Sequence, residues 1–474
     1  MQTWLNKRAS LAPQQIGLYY QGQSYTFQQI KQSVQHRAQQ LVTLGVSTHE
    51  HVGIYGQNTF ENYLNILALL QLNATIVFCN IRLASTELTQ QLTDAKVKMC
   101  LVDQNTCPTN LADIHNLQVI TLASLQQLQP TAFDDVDIQF RDVASLMYTS
   151  GTTGQPKGVL QTYGNHWASA MNTLLNFQVT QQDCWLCVVP LFHISGFSIV
   201  LRSLIYGIPL YLVEHFDAQI CHRLLVDQPI TIMSVVPTML QELLAHNVSH
   251  QPYNDAFRLM FLGGAPLNST LLTQCQQQHI LVVQSYGMTE TCSNVVALNN
   301  ADAQRKQGSC GQALFTNQIR IADTGEIQLK SPALTPGYWH QAERWQAKLT
   351  TDDWFQTGDV GYLDDENFLF IKGRLDDMFV SGGENIFPNE IENVYQQIPQ
   401  IQEIGVTSKP DLKWGAVPVA YLVGNDVPTA DELIAFGRKN LAHYKVPVAF
   451  HQVDQLPHNS SGKLLRRKLI NLVF

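Results

Sequence analysis

The chain has 474 residues and a formal net charge of −9, with 29 Lys and Arg against 38 Asp and Glu. Such a length exceeds a single hydrophobic core and predicts about two to four domains. Surfaces that bind nucleic acid normally carry a basic excess, so the acidic balance argues against a nucleic-acid partner.

The N-terminus lacks the apolar core of a signal peptide. The two most apolar stretches, 63–79 and 197–213, are both interrupted by polar residues, whereas a membrane-spanning helix needs about 20 apolar residues in succession. We therefore expect a cytoplasmic protein without a membrane span. The sequence leaves the oligomeric state open, with a homo-oligomer as one option.

The nine cysteines are scattered along the chain. Cys184 and Cys187 have C-x-x-C spacing, but no second pair and no histidine cluster accompanies them. Because they lie in an apolar run, we interpret them as buried free thiols rather than as a metal or redox site.

Apolar runs alternate with helical patterns through about the first 370 residues. This alternation predicts an α/β fold with mostly parallel sheets. The predicted strands are 51–55, 75–78, 99–102, 119–121, 232–236, 259–262 and 281–283, and the predicted helices include 26–44, 59–72 and 85–92.

The pattern changes near residue 373. A polar break at 373–377 is followed by a Ser-Gly-Gly turn, a helix at 390–398 with Pro388 in its first turn, strands at 405–408 and 419–423, and a helix at 430–441. We expect a large N-terminal domain at 1–373 and a small α+β domain at 374–474.

A run of hydroxyl residues and glycines, 149–157, separates two strand-like segments at 143–148 and 159–160. Small residues allow successive backbone N–H groups to point into one concavity, which suits anionic oxygen. Lys157 adds a cation, so the hairpin tip suits a polyphosphate. A Walker A motif would have Ser or Thr after its lysine, whereas Gly158 follows Lys157. The alternative is an ordinary hairpin tip, because the same residues are common in turns.

Three further motifs carry polar residues after apolar runs. In 286–291, Thr289 could donate to a phosphate and Glu290 could hold Mg²⁺. Asp359 could accept both hydroxyls of a ribose, and Arg374 could reach the same nucleotide. Lys463 lies in a C-terminal loop and could neutralise a carboxylate that approaches a polyphosphate. Taken singly, Glu290 and Asp359 could instead be solvated turn residues, and Lys463 part of a solvated basic tail.

Taken in chain order, these motifs resemble those of the adenylate-forming acyl-CoA synthetase superfamily, which includes luciferases and peptide-synthetase adenylation domains. The resemblance extends from Ser24 to Lys468, nearly the whole chain. It implies layered α/β subdomains in a large N-terminal domain, followed by a small mobile C-terminal α+β domain.

The resemblance also implies roles for individual residues. The phosphates of ATP would be bound by Thr149, Ser150, Gly151, Thr152, Thr153, Gly154 and Lys157. Adenine would be flanked by 263–265 and 284–286, with Gly263 also beside the acyl group and with Gly264, Ser285, Tyr286 and Gly287 in the nucleotide site. Thr289 would bind the α-phosphate, Glu290 the Mg²⁺, and Asp359 with Arg374 the ribose. Asp376 would be the hinge, Lys463 the lysine of the adenylation step, and Gly382 with Gly383 the border of the pantetheine tunnel of coenzyme A.

Within the superfamily, 184–196 and 80–83 resemble the subfamily of o-succinylbenzoate–CoA ligases of menaquinone synthesis. His193 and Ser195 would line the acyl pocket, and His193 would join Glu290 and Lys463 in catalysis. Arg202, nine positions after His193, would contact the second carboxylate of the substrate, since a buried charge needs a partner.

The resemblance implies an enzyme that uses ATP and Mg²⁺ to convert a carboxylic acid to an acyl-adenylate, which is then transferred to coenzyme A. Three alternatives stay open at this point. They are an acyl- or aryl-CoA ligase for another acid, an adenylation module that charges a carrier protein, and a non-catalytic nucleotide-binding regulator.

Overall fold

The fold is described from a computed structural model of the chain. It describes residues 1–103, 111, 114, 116–149, 156–247, 251–264, 269–299, 302–303, 305–458 and 464–472. The side chains of residues 269 and 270 are not part of this description.

The strands of the described residues are β1 (Ile16–Tyr20), β2 (Gln23–Thr26), β3 (His51–Tyr55), β4 (Thr75–Cys79), β5 (Met99–Val102), β6 (Gln118–Thr121), β7 (Val143–Thr149), β8 (Lys157–Thr162), β9 (Trp185–Cys187), β10 (Leu210–Leu212), β11 (Ile232–Val235), β12 (Leu259–Leu262), β13 (Val282–Met288), β14 (Ser293–Ala297), β15 (Gln312–Ala313), β16 (Gln318–Ile321), β17 (Glu326–Lys330), β18 (Phe355–Leu363), β19 (Leu369–Arg374), β20 (Phe379–Ser381), β21 (Glu384–Ile386), β22 (Glu403–Asp411), β23 (Gly415–Val423) and β24 (Ala449–Gln452). The helices are α1 (Trp4–Leu11), α2 (Phe27–Thr43), α3 (Phe60–Gln71), α4 (Ser85–Asp94), α5 (Leu122–Gln126), α6 (Tyr163–Phe177), α7 (Ile194–Tyr206), α8 (Ala218–Asp227), α9 (Pro237–His246), α10 (Ser269–Gln277), α11 (Ala342–Gln346), α12 (Pro388–Tyr395) and α13 (Ala430–Asn440). Short 3₁₀ turns occur at Thr289–Thr291, Leu375–Asp377, His443–Lys445 and Arg466–Leu472.

Two large sheets form the body of the N-terminal part. One has the order β6-β5-β3-β4-β7-β8, and the other has the order β15-β14-β13-β12-β11-β9-β10-β1-β2. Strands β6, β5, β3, β4 and β7 are parallel, as are the six from β13 to β1 in the second sheet, while β8, β14, β15 and β2 pair antiparallel with their neighbours. The predicted α/β fold with mostly parallel central strands is confirmed.

The strand β9 shows why these sheets have continuous apolar sequences. Successive side chains of a strand point to opposite faces. Trp185 and Cys187 pack into the core between the two sheets, which also contains side chains of α2, α3 and α7. Leu186 packs on the opposite face with side chains of α8 and α9. A strand covered on both faces needs apolar residues at every position.

Helix starts coincide with their capping residues. Thr162 ends β8 and caps α6, since its hydroxyl accepts from the backbone N–H of Asn165. Thr26 caps α2 through the same kind of reciprocal contact with Gln29. Proline occupies the first turn of α12, where its missing N–H costs nothing.

Antiparallel structure between residues 318 and 374 was not predicted. Strands β16 to β19 form a four-stranded antiparallel sheet, whereas the sequence predicted α/β alternation through about residue 370. The only helix between β17 and β18 in the described residues is the five-residue α11, too short for the crossover that parallel strands need.

The C-terminal part is a small α+β unit, as predicted. It contains the hairpin β20–β21 and the sheet β22-β23-β24. Helices α12 and α13 pack on that sheet through an apolar cluster that includes Ile391, Tyr395 and Leu433. Among the helices that the structure describes, none has the length and apolar character to cross a lipid bilayer.

The cysteine prediction is confirmed for the residues that the structure describes. Eight cysteines are buried free thiols. Burial raises the pKa of both Cys184 and Cys187 to about 12, so neither is a thiolate near neutral pH.

Candidate active site

The predicted phosphate loop connects two paired strands. Lys157, the first residue of β8, lies opposite Thr149, the last residue of β7. The hairpin that the sequence predicted is therefore confirmed at its base. The hydroxyl of Thr149 is buried and has no hydrogen-bond partner within the described part of the chain. Residues 150–155 lie outside the described residues, so the predicted phosphate contacts of Ser150, Gly151, Thr152, Thr153 and Gly154 stay predictions.

Lys157, Glu290 and Tyr338 form a closed set of contacts. The Lys157 Nζ lies 2.6 Å from the Glu290 Oε1 and 2.9 Å from the Tyr338 hydroxyl oxygen. The Tyr338 hydroxyl donates to the same Glu290 oxygen at 3.0 Å. The Glu290 carboxylate is buried, and burial followed by that carboxylate raises the pKa of Tyr338. The predicted phosphate lysine and the predicted Mg²⁺ ligand are thus direct neighbours.

The turn that carries Glu290 is held from three sides. The Gln161 side chain of β8 donates to the carbonyl oxygen of Thr289 at 2.8 Å. The backbone N–H of Thr335 donates to the carbonyl oxygen of Glu290 at 2.7 Å, and the Ser169 hydroxyl of α6 donates to that of Cys292 at 2.7 Å. These hydrogen bonds fix the backbone of the turn and thereby the position and direction of the Glu290 side chain.

Gln161 is itself fixed by a buried polar chain. The Ser145 hydroxyl donates to the Gln161 Oε1 at 2.8 Å and lies 3.1 Å from the His166 Nε2. Burial, followed by the charge of Arg202, lowers the pKa of His166 to about 3. His166 is therefore neutral near neutral pH.

The strand before Glu290 continues beyond its predicted end at residue 283. Tyr286 to Met288 belong to β13, and the turn starts only at Thr289. The antiparallel partner β14 extends β13, and this pairing was not visible in the sequence. A Cβ atom at Gly287 would lie 2.0 Å from the carbonyl oxygen of Ser293, so the close approach of β14 requires glycine there.

The two predicted ribose ligands lie side by side. Asp359 of β18 and Arg374 of β19 are direct partners across the strand pair. Arg374 lies 3.1 Å from the Asp359 Oδ1, and the Tyr286 hydroxyl donates to the Oδ2 at 2.7 Å. Asp359 lies within the strand β18, and the structure places it beside Arg374 as predicted.

The predicted adenine-flanking residues that the structure describes lie at the carboxyl ends of two parallel strands, whereas Ala265 lies outside the described residues. Gly263 and Gly264 follow β12, and Ser285 lies in the adjacent β13. The Ser285 hydroxyl donates to the carbonyl oxygen of Leu262 at 3.1 Å. Ligands of α/β proteins bind at such strand ends.

His193 and Ser195 lie at the start of α7. His193 is the N-cap residue, and its Nε2 is buried without a partner in the described part of the protein. Burial, followed by the charge of Arg82, lowers the pKa of His193 to about 4. Ser195 is exposed in the first turn of the helix.

Arg202 is almost completely enclosed, with 1% of its surface exposed. Its Nη2 donates to the Asn294 Oδ1 at 3.1 Å, and its guanidinium lies 5.4 Å from the centroid of the Trp185 ring. Within the described residues, the Nε of Arg202 is buried without a hydrogen-bond partner. No carboxylate of the described residues lies within ion-pair distance of this guanidinium.

The remaining predicted residues lie in or beside the small C-terminal unit. Gly382 and Gly383 form the turn of the β20–β21 hairpin with φ angles of +59° and +90°, which favour glycine. Asp376 lies in the 3₁₀ turn between β19 and β20. Lys463 lies outside the described residues, so its predicted role stays a prediction.

Three residues of this site were not identified from the sequence: Gln161, Tyr338 and Asn294. Tyr338 is 48 residues from Glu290 along the chain, and nothing local to either residue signals their contact. The sequence offered one sign of a role for Gln161, which is its position as a polar residue within a strand.

Among the described residues, no group of three or more His, Cys, Asp or Glu side chains could hold a metal ion. Glu290 is a single buried carboxylate. Mg²⁺ is commonly held by one or two carboxylates together with phosphates of a substrate rather than by an all-protein cage. The site therefore fits Mg²⁺ that arrives with a nucleotide.

Comparison with known proteins identifies the family of the chain. The protein family described as AMP-binding enzyme matches residues 5–339, and the AMP-binding enzyme C-terminal domain matches residues 390–463. The 2-succinylbenzoate–CoA ligase of Listeria monocytogenes is 44% identical over 473 residues, which cover 99% of each chain.

Solved structures of the o-succinylbenzoate CoA synthetase of Bacillus subtilis are also similar. Its complex with the acyl-adenylate intermediate OSB-AMP has 37% identity and a TM-score of 0.93, covering 99% of this chain and 98% of that one. Its complex with ATP and magnesium ion has the same identity and TM-score, covering 99% of both chains. A double mutant bound to the product analogue OSB-NCoA has the same identity and a TM-score of 0.77, covering 99% and 98%. The chain belongs to the AMP-binding enzyme family.

Proposed function

We propose that the protein is an AMP-forming acid–thiol ligase that activates 2-succinylbenzoate and transfers it to coenzyme A, a reaction of menaquinone synthesis. Relatives with that activity in their names match the chain over 99% of its length. The alternatives of another acid, a carrier-protein acceptor or a non-catalytic regulator have no observation in their favour.

The observation that carries the choice of substrate is the buried Arg202. A guanidinium at 1% exposure loses its hydration, and a buried charge without a partner is costly. Its described neighbours, Asn294, Tyr206 and Trp185, are all uncharged. A substrate with a second carboxylate would supply the missing anion, which a monocarboxylic acid could not.

The first half-reaction joins the acid to AMP. A carboxylate oxygen attacks the α-phosphorus of ATP, the acyl-adenylate forms and pyrophosphate leaves. The obstacle is repulsion between an anion and the triphosphate. Mg²⁺ bound with the nucleotide would offset part of this charge. Lys157, Thr289 and the N–H groups of the phosphate loop would hold the oxygens, and removal of one such donor typically costs about 10²–10³ in rate.

The position of Lys157 fits this step. Its ammonium lies 2.6 Å from Glu290 in this structure. Glu290 would hold the Mg²⁺, and Lys157 would then exchange the carboxylate for phosphate oxygens. Asp359, with Arg374 beside it, would bind the ribose hydroxyls. Lys463 would neutralise the approaching carboxylate.

The second half-reaction forms the thioester. The thiol sulfur of coenzyme A attacks the acyl carbon, the C–S bond forms and AMP leaves. Gly382 and Gly383 would border the path of the pantetheine arm. Because Lys463 and these glycines serve different steps from one small domain, we propose that this domain, residues 374–474, rotates about Asp376 relative to residues 1–373.

We further place the protein in the cytoplasm. The eight described cysteines are all unpaired, as expected in a reducing compartment. Its substrates would be a carboxylic acid, ATP and coenzyme A. Whether it forms a homo-oligomer is a separate question that size-exclusion chromatography with light scattering answers.

The test is a panel of carboxylic acids, including 2-succinylbenzoate and its two monocarboxylate analogues. We expect ATP- and coenzyme A-dependent thioester formation, with pyrophosphate release, to be fastest with 2-succinylbenzoate. Arg202→Met should raise KM for 2-succinylbenzoate far more than KM for the analogue that keeps the reactive acid group. Preference for a monocarboxylate by the wild-type protein would reject the proposal.

A further inference from the structure

A second polar side chain next to Arg202 is held as if for a ligand. Asn294 of β14 is 3% exposed, and its Nδ2 has no hydrogen-bond partner in the part of the chain that the structure describes. The Nε of Arg202 is likewise buried and unpartnered. Leaving a buried donor unsatisfied is costly, so two such donors on adjacent side chains need an explanation.

The orientation of the Asn294 amide is decided by its neighbours. The Oδ1 accepts from the Arg202 Nη2 at 3.1 Å, from the Thr173 hydroxyl at 3.1 Å and from the Ser293 hydroxyl at 3.3 Å. A flipped amide would place the NH₂ group against the guanidinium, which has donors only. The carbonyl oxygen therefore faces Arg202, and the NH₂ group is left without a hydrogen-bond acceptor among the described residues.

Arg202 and Asn294 together leave only donors unused. Among the residues that the structure describes, no carboxylate forms an ion pair with this guanidinium, and the side chains of His166, Tyr206 and Trp185 beside it are neutral. A carboxylate, which accepts through two oxygens, could take both the Arg202 Nε and the Asn294 Nδ2.

We propose that Asn294 is a specificity-determining residue that donates from its Nδ2 to the second carboxylate of the substrate, alongside Arg202. This inference rests on the proposed function, because it assigns a further contact to the same acid. Asn294 follows Glu290 by four residues, so β14 would join recognition of the far end of the acid to the site of adenylation.

The proposed contact also explains why residue 294 is an uncharged asparagine rather than an aspartate. An aspartate at 294 would keep the acceptor for Arg202 but would pair with its charge and remove the free NH₂ group. Asn294→Asp is therefore expected to raise the Tm, because the buried guanidinium gains an ion-pair partner. The same change is expected to raise KM for 2-succinylbenzoate more than any neutral substitution does, because the two carboxylates would repel each other.

A double-mutant cycle separates direct contact from bracing of Arg202. The variants are Asn294→Leu, which keeps the size of the side chain, Arg202→Met and the double variant. KM is measured for 2-succinylbenzoate and for the monocarboxylate analogue that keeps the reactive acid group, and calorimetric ATP binding confirms an intact nucleotide site. We expect Asn294→Leu to raise the KM ratio of the two acids about tenfold or more, as for a lost hydrogen bond to a charged group.

Direct contact predicts that Asn294→Leu still raises this ratio when Arg202 is already methionine. No added effect in that background would show that Asn294 acts only through Arg202 and would overturn the proposal. Should the double variant not fold, an unchanged KM in Asn294→Asp would overturn it equally. Failure of the wild-type protein to use 2-succinylbenzoate would instead reject the proposed function, so the two failures are distinguishable.

Discussion

Tyr338 shows how a single hydroxyl can connect two charges. It accepts a hydrogen bond from Lys157 and donates one to Glu290, and it is 4% exposed. If Lys157 exchanges Glu290 for a phosphate, as proposed, the Tyr338 bond to the Glu290 Oε1 can persist. We interpret Tyr338 as a positioning residue that holds the carboxylate in the direction needed for Mg²⁺.

Tyr338→Phe is expected to weaken binding of ATP in the presence of Mg²⁺ by about tenfold, the scale of one hydrogen bond to a charged group. Binding of ATP without Mg²⁺ should change less, because Glu290 then has no cation to orient. Calorimetry with and without Mg²⁺ measures both affinities. Tyr362→Phe, at an exposed position, is the control, and equal losses under both conditions would contradict the interpretation.

His166 predicts a pH dependence of stability. Its pKa is about 3 in the folded chain and about 6.5 in an unfolded one. The unfolded state binds more protons between those values, so stability should fall as the pH drops from about 6.5 towards 3. In His166→Gln, the loss of stability between pH 7 and pH 5 should be smaller than in the wild-type protein. Urea unfolding at the two pH values measures it, and an unchanged loss would assign the acid sensitivity to other groups.

Among the secondary-structure elements, the strand β8 connects the predicted phosphate loop, the Glu290 turn and the helix α6. Lys157 begins it, Gln161 holds the Glu290 turn, and Thr162 caps α6. The alternating directions of strand side chains put Lys157 and Gln161 on one side. One strand thereby aligns the predicted phosphate loop with the predicted metal ligand.

Gln161→Leu should lower kcat for adenylate formation by about tenfold, because the carbonyl oxygen of Thr289 loses its hydrogen-bond donor. A buried acceptor left unsatisfied costs about 1–3 kcal/mol, and the Glu290 turn would become less rigid. KM for the acid should change less, since Arg202 does not contact this residue. Pyrophosphate release measures the effect. Gln126→Leu, on the exposed side of α5, is the matched control, and a loss confined to thermal stability would refute the role of Gln161 in positioning.

The elements that the sequence predicted best were those with strong periodicity and clear boundaries. Strands 51–55, 99–102 and 259–262 have the predicted bounds. The prediction was wrong for the end of β13 and missed the sheet β16–β19. Pairing with a distant strand decides whether a segment such as 286–288 continues as a strand, and that partner is not encoded locally.

Two complexes of one relative indicate how the whole molecule can change its arrangement. The Bacillus subtilis enzyme with OSB-AMP and its double mutant with OSB-NCoA align with this chain at equal identity and coverage but at TM-scores of 0.93 and 0.77. The two forms of that relative therefore differ in arrangement, and this chain resembles the adenylate form. A rotation of the small domain would produce such a difference.

The two half-reactions should therefore respond to different substitutions. Lys463→Ala is expected to abolish adenylate formation, because the approaching carboxylate loses its counter-charge, while conversion of supplied acyl-adenylate to thioester continues. Pyrophosphate release and thioester formation from synthetic acyl-adenylate measure the two steps separately. Equal loss in both would reject this division of labour.

Asp376→Pro is the complementary variant, since proline restricts the backbone rotation of the proposed hinge. It should slow thioester formation more than adenylate formation. An unchanged thioester rate would count against a hinge at Asp376.

Short contiguous motifs were enough to indicate the family and to predict roles for the loop 149–157, for Glu290 and for the pair Asp359 and Arg374. Only the tertiary structure placed Tyr338 on Glu290, Gln161 under Thr289 and Asn294 beside Arg202. The physical reason is that a motif specifies which groups a short segment carries, whereas contacts across roughly 50 to 130 residues exist only once packing of the sheets has brought those segments together.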